Sequence, residues 1–289
     1  MYQEIFQRRR IILKADKIRG ILKEGDRGSF KNGRFRFLPG SELAEATAES
    51  GLQWKVQNIL KSQGRLYYLL IKIFSPVLAN PFSQKKIREM LRNFDEESII
   101  LNLGSGPTYY MNRKDIINVD IFPFREIDVL ANVDNLPIEN ETVDVIISVA
   151  MLEHVGDPKK VVEEMHRVLK PGGRVICYLP FMVPYHAAPN DFQRWTVTGI
   201  QKLFSSFDPV EVSVGCGPTS GMLWVFQEWL SVLLSFGSRI LHDILFLALM
   251  VFTAPIKLLD VFMVKFPDAD KVASGFYVFG EKRKVRVDS

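Results

Sequence analysis

Cysteine is nearly missing from the 289 residues: there are two, Cys177 and Cys216, and they are far apart. That excludes a CxxC-type zinc site and a disulfide framework, and it suits a reducing compartment. No low-complexity tract or internal repeat is present, and the composition excludes collagen and wholesale disorder. A secretory leader is not expected, because Arg8-Arg9-Arg10 is followed only by Ile11-Ile12-Leu13 before Lys14. A run of about 20 apolar residues, the length that crosses a bilayer, is also lacking. The nearest approach is Ile244 to Ile256, which is free of Asp, Glu, Lys, Arg and His and contains Pro255 near its end. It is short for a span and greasy for a soluble helix.

Charge of either sign is not in excess, at a net +4, but it is unevenly placed. Residues 1–40 hold eleven Lys/Arg against four Asp/Glu, and the tail Lys282-Arg283-Lys284-Val285-Arg286 is basic. These ends read either as solvated chain or as segments drawn to an anionic surface, lipid or nucleic acid.

The chain divides by pattern into four parts. Residues 1–94 form an extension, helical and then turn-rich. It has turn signals at Gly25-Asp26-Arg27-Gly28 and Lys31-Asn32-Gly33-Arg34, and a short strand at Phe35–Leu38. Leu66 to Leu78 reads as a core or interfacial helix, and Ser83 to Phe94 as an amphipathic one. Over 95–215, short apolar runs alternate with helical segments, the pattern of a parallel α/β sheet. Strands are predicted at Ile99–Leu103, Ile116–Ile121, Val143–Val149, Arg174–Leu179 and Val210–Val214. Pro158 to Leu169 is predicted as a helix, ended by Pro171-Gly172-Gly173. Residues 216–274 are an apolar helical insertion, and 275–289 supply the last strand, Gly275–Phe279, and the basic tail. The expected fold class is α/β: a Rossmann-like, doubly wound, mostly parallel sheet, with the N-terminal extension and with the insertion placed before the last strand.

The chemistry starts where Ile99-Ile100-Leu101-Asn102-Leu103 runs into Gly104-Ser105-Gly106-Pro107. A strand entering such a turn is where a nucleotide-like cofactor sits in a doubly wound sheet, because glycine lets the ligand approach the backbone. Tyr109 stands where a dinucleotide fingerprint wants a third glycine or alanine, which counts against NAD and FAD. No Gly-Lys-Ser/Thr follows, so this is not a phosphate P-loop. The second strand ends in Asp120, placed to accept hydrogen bonds from two ribose hydroxyls or, alternatively, to cap the next turn.

Further along lie Leu136-Pro137-Ile138, Val143-Asp144-Val145, Leu152-Glu153-His154-Val155 and Arg167-Val168-Leu169-Lys170-Pro171-Gly172-Gly173. In this order the motifs resemble the class I S-adenosylmethionine-dependent methyltransferases over roughly residues 95–215. The resemblance implies S-adenosylmethionine as cofactor. Gly104, Ser105 and Gly106 would line its methionine end, with Asn102 just before them. Asp120 would hold the ribose and Ile121 the adenine face. Asn132 and Val133 would meet the adenine edge, and Ala150 and Met151 would face the sulfonium and the acceptor. Asn102 and Asn132 stand where the family often has Asp; both keep hydrogen-bonding capacity and lose a negative charge near a cationic cofactor.

After the fifth strand, Pro180 to Thr196 leaves the carboxyl edge of the sheet, where ligands bind in open α/β folds. His186 is the first candidate base, with Asp191 or Arg194 orienting it or the substrate, and His154 is a weaker candidate. The plain alternative is a structural loop in which Asp191 pairs with Arg194 and Thr196 caps the helix that follows. His166 is expected on a solvent-facing helix surface, and His242 is not expected to share a helix face with Asp243. No metal is expected.

The insertion carries Leu223, Trp224, Phe226, Trp229, Leu230, Leu233, Leu234 and Phe236, then a second apolar set from Ile240 to Phe252. It reads as a lid or dimer surface, as a layer seated in the membrane interface with Trp224 and Trp229 at the boundary, or as a short spanning hairpin. Pro-Phe, Tyr-His and Pro-x-Asp-Phe-x-Arg-x-Thr beside an apolar segment look like bacterial methyltransferases of surface-glycan biosynthesis. That implies O-methylation of a lipid-linked saccharide or another hydrophobic small molecule, by an enzyme in the cytoplasm or peripheral on the inner face of the membrane. The partners implied are such an acceptor, an anionic membrane surface and a second copy of the chain. A nucleic acid is disfavoured, because the Asn-Pro-Pro-Tyr type of signature and a dedicated RNA-binding motif are both lacking. The contrasting reading is a non-catalytic scaffold on the same fold.

Overall fold

The computed structural model describes residues 14–24, 28–31, 33–38, 73–107, 110–187 and 190–284. The basic segment before residue 14, most of Leu66–Leu78, Tyr109 and the last five residues lie outside that set. Residues 14–21 are helical.

Among the described residues nine strands make one sheet: β1 (Ser29–Lys31), β2 (Arg34–Arg36), β3 (Ile100–Leu103), β4 (Ile117–Asp120), β5 (Val129–Leu130), β6 (Val143–Val149), β7 (Leu169–Pro180), β8 (Val210–Cys216) and β9 (Gly275–Glu281). Their order is β1-β2-β5-β4-β3-β6-β7-β9-β8. From β2 to β7 all neighbours are parallel, whereas β9 runs antiparallel to both β7 and β8. This is the expected mostly parallel, doubly wound sheet, with the insertion before its last strand.

The central strands are apolar without a break because both sheet faces are covered. β3 and β4 are buried at every position. Alternate residues serve opposite layers. Leu101 and Leu103 belong to the core that also holds Val161, Met165 and Phe204, whereas Ile100 joins Ile87, Leu91 and Tyr277 on the other side. Helix α1 (Pro81–Arg92) covers that second layer. The Asn80 side chain accepts from the Phe82 amide at its start, and Pro81 sits where no amide is needed. Helix α2 (Pro158–Val168) covers the first layer through Val161, Val162, Met165 and Val168, and is capped by Asp157.

Two local expectations change, and one strand is present that was not expected. The Pro171-Gly172-Gly173 stop does end α2, but β7 starts at once, at Leu169, with Gly172 at φ +82° where the register against β6 shifts. Strand β5 has only two residues and held no periodicity to read. His166 is half-buried rather than solvent-facing, with its ring edge-on to Phe207 at 5.2 Å.

Further helices lie around β8 and before β9. Helix α3 (Val197–Leu203) precedes β8 and is capped by Thr196 as the loop reading required. Helices α4 (Pro218–Leu234) and α5 (Arg239–Thr253) then form a hairpin, followed by the short α6 (Asp260–Met263). Asp260, buried beneath α4, accepts from the Thr219 and Ser220 amides at 2.8 Å each and from the Ser220 hydroxyl at 2.6 Å. No single helix among the described residues is long and apolar enough to cross a membrane; α5 with the bent segment to Met263 passes only as a broken pair. His242 does contact Asp243, at 3.4 Å, and its other ring nitrogen meets Glu228 on α4 at 3.1 Å.

Candidate active site

At the end of β3 the chain turns through Gly104 (φ +64°) and Gly106 (φ +57°), a left-handed geometry that favours glycine. A Cβ on Gly104 would stand 2.2 Å from Met151 Cγ, whereas one on Gly106 would meet nothing within 4 Å. The first glycine is therefore a packing contact and the second borders open space. Ser105 lies between them, its hydroxyl 3.3 Å from the Gly106 carbonyl.

Asp120 closes the turn from the tip of β4. Its Oδ2 accepts the Gly106 amide at 2.8 Å and its Oδ1 the Phe122 amide at 2.9 Å. Burial pushes this carboxyl up, and the backbone hydrogen bonds oppose that. Ile121 follows, half-buried. The Ala131 amide donates to the Asp120 carbonyl at 3.2 Å, which brings Asn132 and Val133 to the same edge. Val133 is buried. Asn132 is exposed, and its side-chain oxygen accepts from the Asp134 amide at 3.3 Å. Asn102 is not brought to the mouth of the site: it is buried, and its amide donates to the Asn118 side chain on β4 at 3.1 Å.

A second region opens beyond β6. Ala150 takes φ +51°, with its amide held by the Tyr178 carbonyl at 3.1 Å. The chain then enters a single 3-10 turn, Leu152–His154. Met151 links the two regions, packed on Gly104 beside Ala150. A cavity of about 250 Å³ lies here, with Val149 from the end of β6, Ala150 just beyond it, Tyr178 and Pro180 from β7, Cys216 from β8 and Tyr277 from β9 in its wall. Val77, Ala79, Val183, His186, Glu153 and Trp224 complete it.

The loop after β7 is fastened onto the 3-10 turn. The Phe192 amide donates to the Glu153 carbonyl at 2.8 Å, the Gln193 amide nitrogen to the Val155 carbonyl at 3.3 Å, and His154 Nδ1 meets the Asn190 carbonyl at 2.5 Å. These ties bring His154, His186, Asp191 and Arg194 together, as the sequence reading grouped them. Asp191 is paired with Arg194 and accepts the His186 amide at 2.8 Å. Burial works against the Asp191 charge, but the Arg194 guanidinium and the His186 amide outweigh it and hold the carboxyl at about 2. His154 is shifted down by burial.

The residue that sequence reasoning passed over is Glu153. Its side chain is fully buried, and neither carboxyl oxygen has a hydrogen-bond partner. Oε1 lies 3.8 Å from His154 Nε2 and 3.9 Å from His186 Nε2. Burial pushes this carboxyl up to about 7. The available signal was a carboxylate inside an apolar motif, Leu152-Glu153-His154-Val155. Trp224 also corrects an expectation: it faces the cavity, with its ring 5.5 Å from that of His186, and is not an outward boundary residue. Trp229 is the outward one, 58% exposed.

Residues 108–177 match the methyltransferase domain family. No curated protein matches the chain. Among solved structures the chain is similar to the Haemonchus contortus phosphoethanolamine N-methyltransferase 2 in complex with phosphomonomethylethanolamine and S-adenosylhomocysteine (14% identity, 70% of this chain, TM-score 0.43), of which it spans about half the length, 52%. It is similar also to a Thermotoga maritima S-adenosylmethionine-dependent methyltransferase described as a possible histamine N-methyltransferase (13%, 78% of this chain and 97% of that one, TM-score 0.44). A third similar structure is the YcgJ protein of a Bacillus species (14%, 70% and 99%, TM-score 0.40). At such identities and TM-scores these likenesses bear on neither acceptor nor partner. The matched residues hold β4, β6, α2 and the first part of β7, and this part of the chain is a class I S-adenosylmethionine-dependent methyltransferase domain.

Proposed function

We propose that this enzyme methylates an oxygen atom of a hydrophobic acceptor, a lipid-linked saccharide being the class favoured, while seated on a membrane surface. The observation that carries the membrane part is the polarity of α4. Its inward face buries Ser220, Gln227 and Ser231, whereas Phe226, Trp229, Val232 and Leu233 point outward and are exposed. A helix on a water-soluble surface has the opposite arrangement. Helix α5 extends the same layer, with Ile240, Ile244 and Phe252 exposed, and Phe236 at the hairpin tip is 91% exposed. An apolar patch of this extent marks a lipid or partner contact, and an amphipathic layer without a span belongs in the interface plane.

The residues present fit the cofactor. Asp120 keeps lone pairs free beyond its two backbone bonds, and the open side of Gly106 leaves room for close backbone approach. Gly104, Ser105, Gly106, Asp120, Ile121, Asn132 and Val133 would hold it, with Ala150 and Met151 towards the acceptor. Asn102 would act through the sheet rather than by contact. When bound, S-adenosylmethionine supplies an activated methyl group.

The chain's own task is to place the acceptor and keep water out. The largely apolar cavity wall and the Trp224 roof serve that. His186 is the side chain that engages the acceptor hydroxyl; as a bare imidazole it would take the proton. Asp191 and Arg194 hold its loop in place, and His154 steadies the same loop from below through Asn190.

Two measurements test the reading. Calorimetry should show binding of S-adenosylmethionine and S-adenosylhomocysteine. Sedimentation with phosphatidylglycerol-containing vesicles should carry the protein down. A protein that is monodisperse without detergent and indifferent to vesicles would refute the membrane seat; a protein that binds neither nucleoside would refute the catalytic site.

A further inference from the structure

We infer that Glu153, His154 and His186 form a divalent-cation site at the floor of the acceptor cavity. One atom from each residue lies within 4.8 Å of the others. The tautomers favour it. A carbonyl oxygen can only accept, so the 2.5 Å contact from His154 Nδ1 to the Asn190 carbonyl makes that nitrogen the N–H donor. His186 Nδ1 has its shortest contact, 3.0 Å, with the Pro184 carbonyl, while the guanidinium 3.3 Å away is already spent on Pro184 and Asp191. In each neutral ring the lone pair is then on Nε2, the atom facing Glu153. Metal-binding histidines are oriented in this way, by an outer hydrogen bond from the other ring nitrogen to a carbonyl.

The carboxylate supplies the independent observation. A fully buried Glu with both oxygens unpartnered is costly as an anion. A cation between it and two imidazoles removes that cost. The Asp191–Arg194 ion pair alongside is neutral overall, so it adds no net opposing charge.

The donor set selects the metal. Two imidazoles and one carboxylate suit a borderline first-row ion such as zinc, and not magnesium, which prefers oxygen ligands and water. Ligand atoms about 2.0–2.2 Å from a tetrahedral zinc stand about 3.4 Å apart. The two Glu153 distances of 3.8 and 3.9 Å therefore need a contraction of about half an ångström. Three protein ligands leave a position open, as in catalytic zinc sites, and here it would open towards the cavity that Ala150 and Trp224 line. Its role rests on the O-methylation reading: the cation would bind and acidify the acceptor hydroxyl, whose proton would pass to solvent before the methyl group arrives, and His186 would then serve as a ligand in place of the base. The site itself is independent of that reading.

The test uses the metal alone on the full chain, without acceptor. Calorimetry with zinc chloride should show one equivalent bound, and Glu153→Gln and His186→Ala should each weaken binding at least tenfold. The His242→Ala variant, altered at the histidine paired with Glu228 and Asp243, should bind as wild type does. Cobalt(II) should give visible absorption that Glu153→Gln abolishes, a readout that does not depend on activity. Circular dichroism and S-adenosylhomocysteine binding establish that each variant is folded. Should a variant fail to fold, imidazole nitrogen shifts of wild type on zinc addition decide the matter: His154 and His186 should move and His242 should not. Sub-stoichiometric binding, binding insensitive to Glu153→Gln, or zinc following His242 would overturn the proposal. If zinc binds but S-adenosylmethionine does not, the enzymatic reading fails and the metal site stands.

Discussion

Replacing Gly104 by alanine separates two costs that the structure assigns differently to the two turn glycines. At Gly104, φ is +64°, and the added Cβ would lie 2.2 Å from Met151 Cγ and 2.7 Å from its Cβ. The left-handed backbone costs an L-residue about 1–2 kcal/mol. Met151 is only 8% exposed, so displacing it overpacks the core, about 1–3 kcal/mol more. Gly104→Ala should therefore lose about 2–5 kcal/mol. Gly106 has nearly the same backbone, φ +57°, with nothing within 4 Å. Gly106→Ala should lose only about 1–2 kcal/mol while weakening S-adenosylmethionine binding, because its Cβ would enter the open space where the cofactor is proposed to bind. Urea denaturation with an unchanged m-value measures both stabilities. The double variant Gly104→Ala/Met151→Ala should recover about 1–3 kcal/mol relative to additivity. Equal losses at the two glycines, with no coupling to Met151, would refute the assignment of Gly104 to packing and Gly106 to the ligand.

Asp120→Ala removes the acceptor for two amides of the turn, and hydrogen bonds to a charged group are worth about 1.5–3 kcal/mol each. Calorimetry should show at least a tenfold loss of S-adenosylmethionine affinity. Asp260→Ala strands two amides and a hydroxyl at the start of α4 and should cost about 2–4 kcal/mol in thermal or chemical unfolding. Trp229→Glu combined with Phe252→Glu places charges on the exposed apolar layer, 58% and 81% exposed in the parent. The double variant should lose vesicle sedimentation and keep cofactor binding; unchanged sedimentation would mean that lipid is not what covers this face.

What the sequence made legible is what local pattern encodes. The apolar runs of β3, β4 and β6 and the glycine turn after β3 are readable because a strand buried on both faces needs no alternation. The same holds for α2, whose apolar positions recur at helical spacing behind Asp157 and Pro158. Features that depend on partners were hidden. Val129–Leu130 becomes a strand only because β4 and β2 pair with it from either side. The Lys170–Gly173 segment carries a helix-stop signal, yet β7 extends through it between β6 and β9. Glu153 reads as one acid in a motif until Phe192 and Gln193 are tied across its turn and its side chain is buried. The orientation of α4 was hidden for a similar reason: a periodic face can be found in the sequence, but which face meets the core is settled by Gln227 reaching Thr253 at 2.6 Å and by Asp260 gripping the first turn.

If α4 seats on lipid as proposed, that orientation makes acceptor entry and membrane seating one mechanical problem. Trp224 stands over His186 on the cavity side of α4, and Phe226 and Trp229, within the next two turns of the helix, are on its outer side. A rigid helix cannot lift one set without moving the other. Its N-terminal end is fixed by Asp260 and its polar face by Thr253, so the freedom left to it is at the hairpin tip, where Phe236 and Gly237 adopt left-handed backbone. If lipid holds that tip, the roof of the cavity is held with it, and a lipid-linked acceptor would reach His186 along the apolar side of α4 without crossing water. Vesicles should therefore tighten the fluorescence environment of Trp224 as well as Trp229. With Trp229 and the other two tryptophans replaced by phenylalanine, the Trp224 signal should still respond to vesicles. A Trp224 signal blind to lipid would mean that the roof and the outer layer are not coupled.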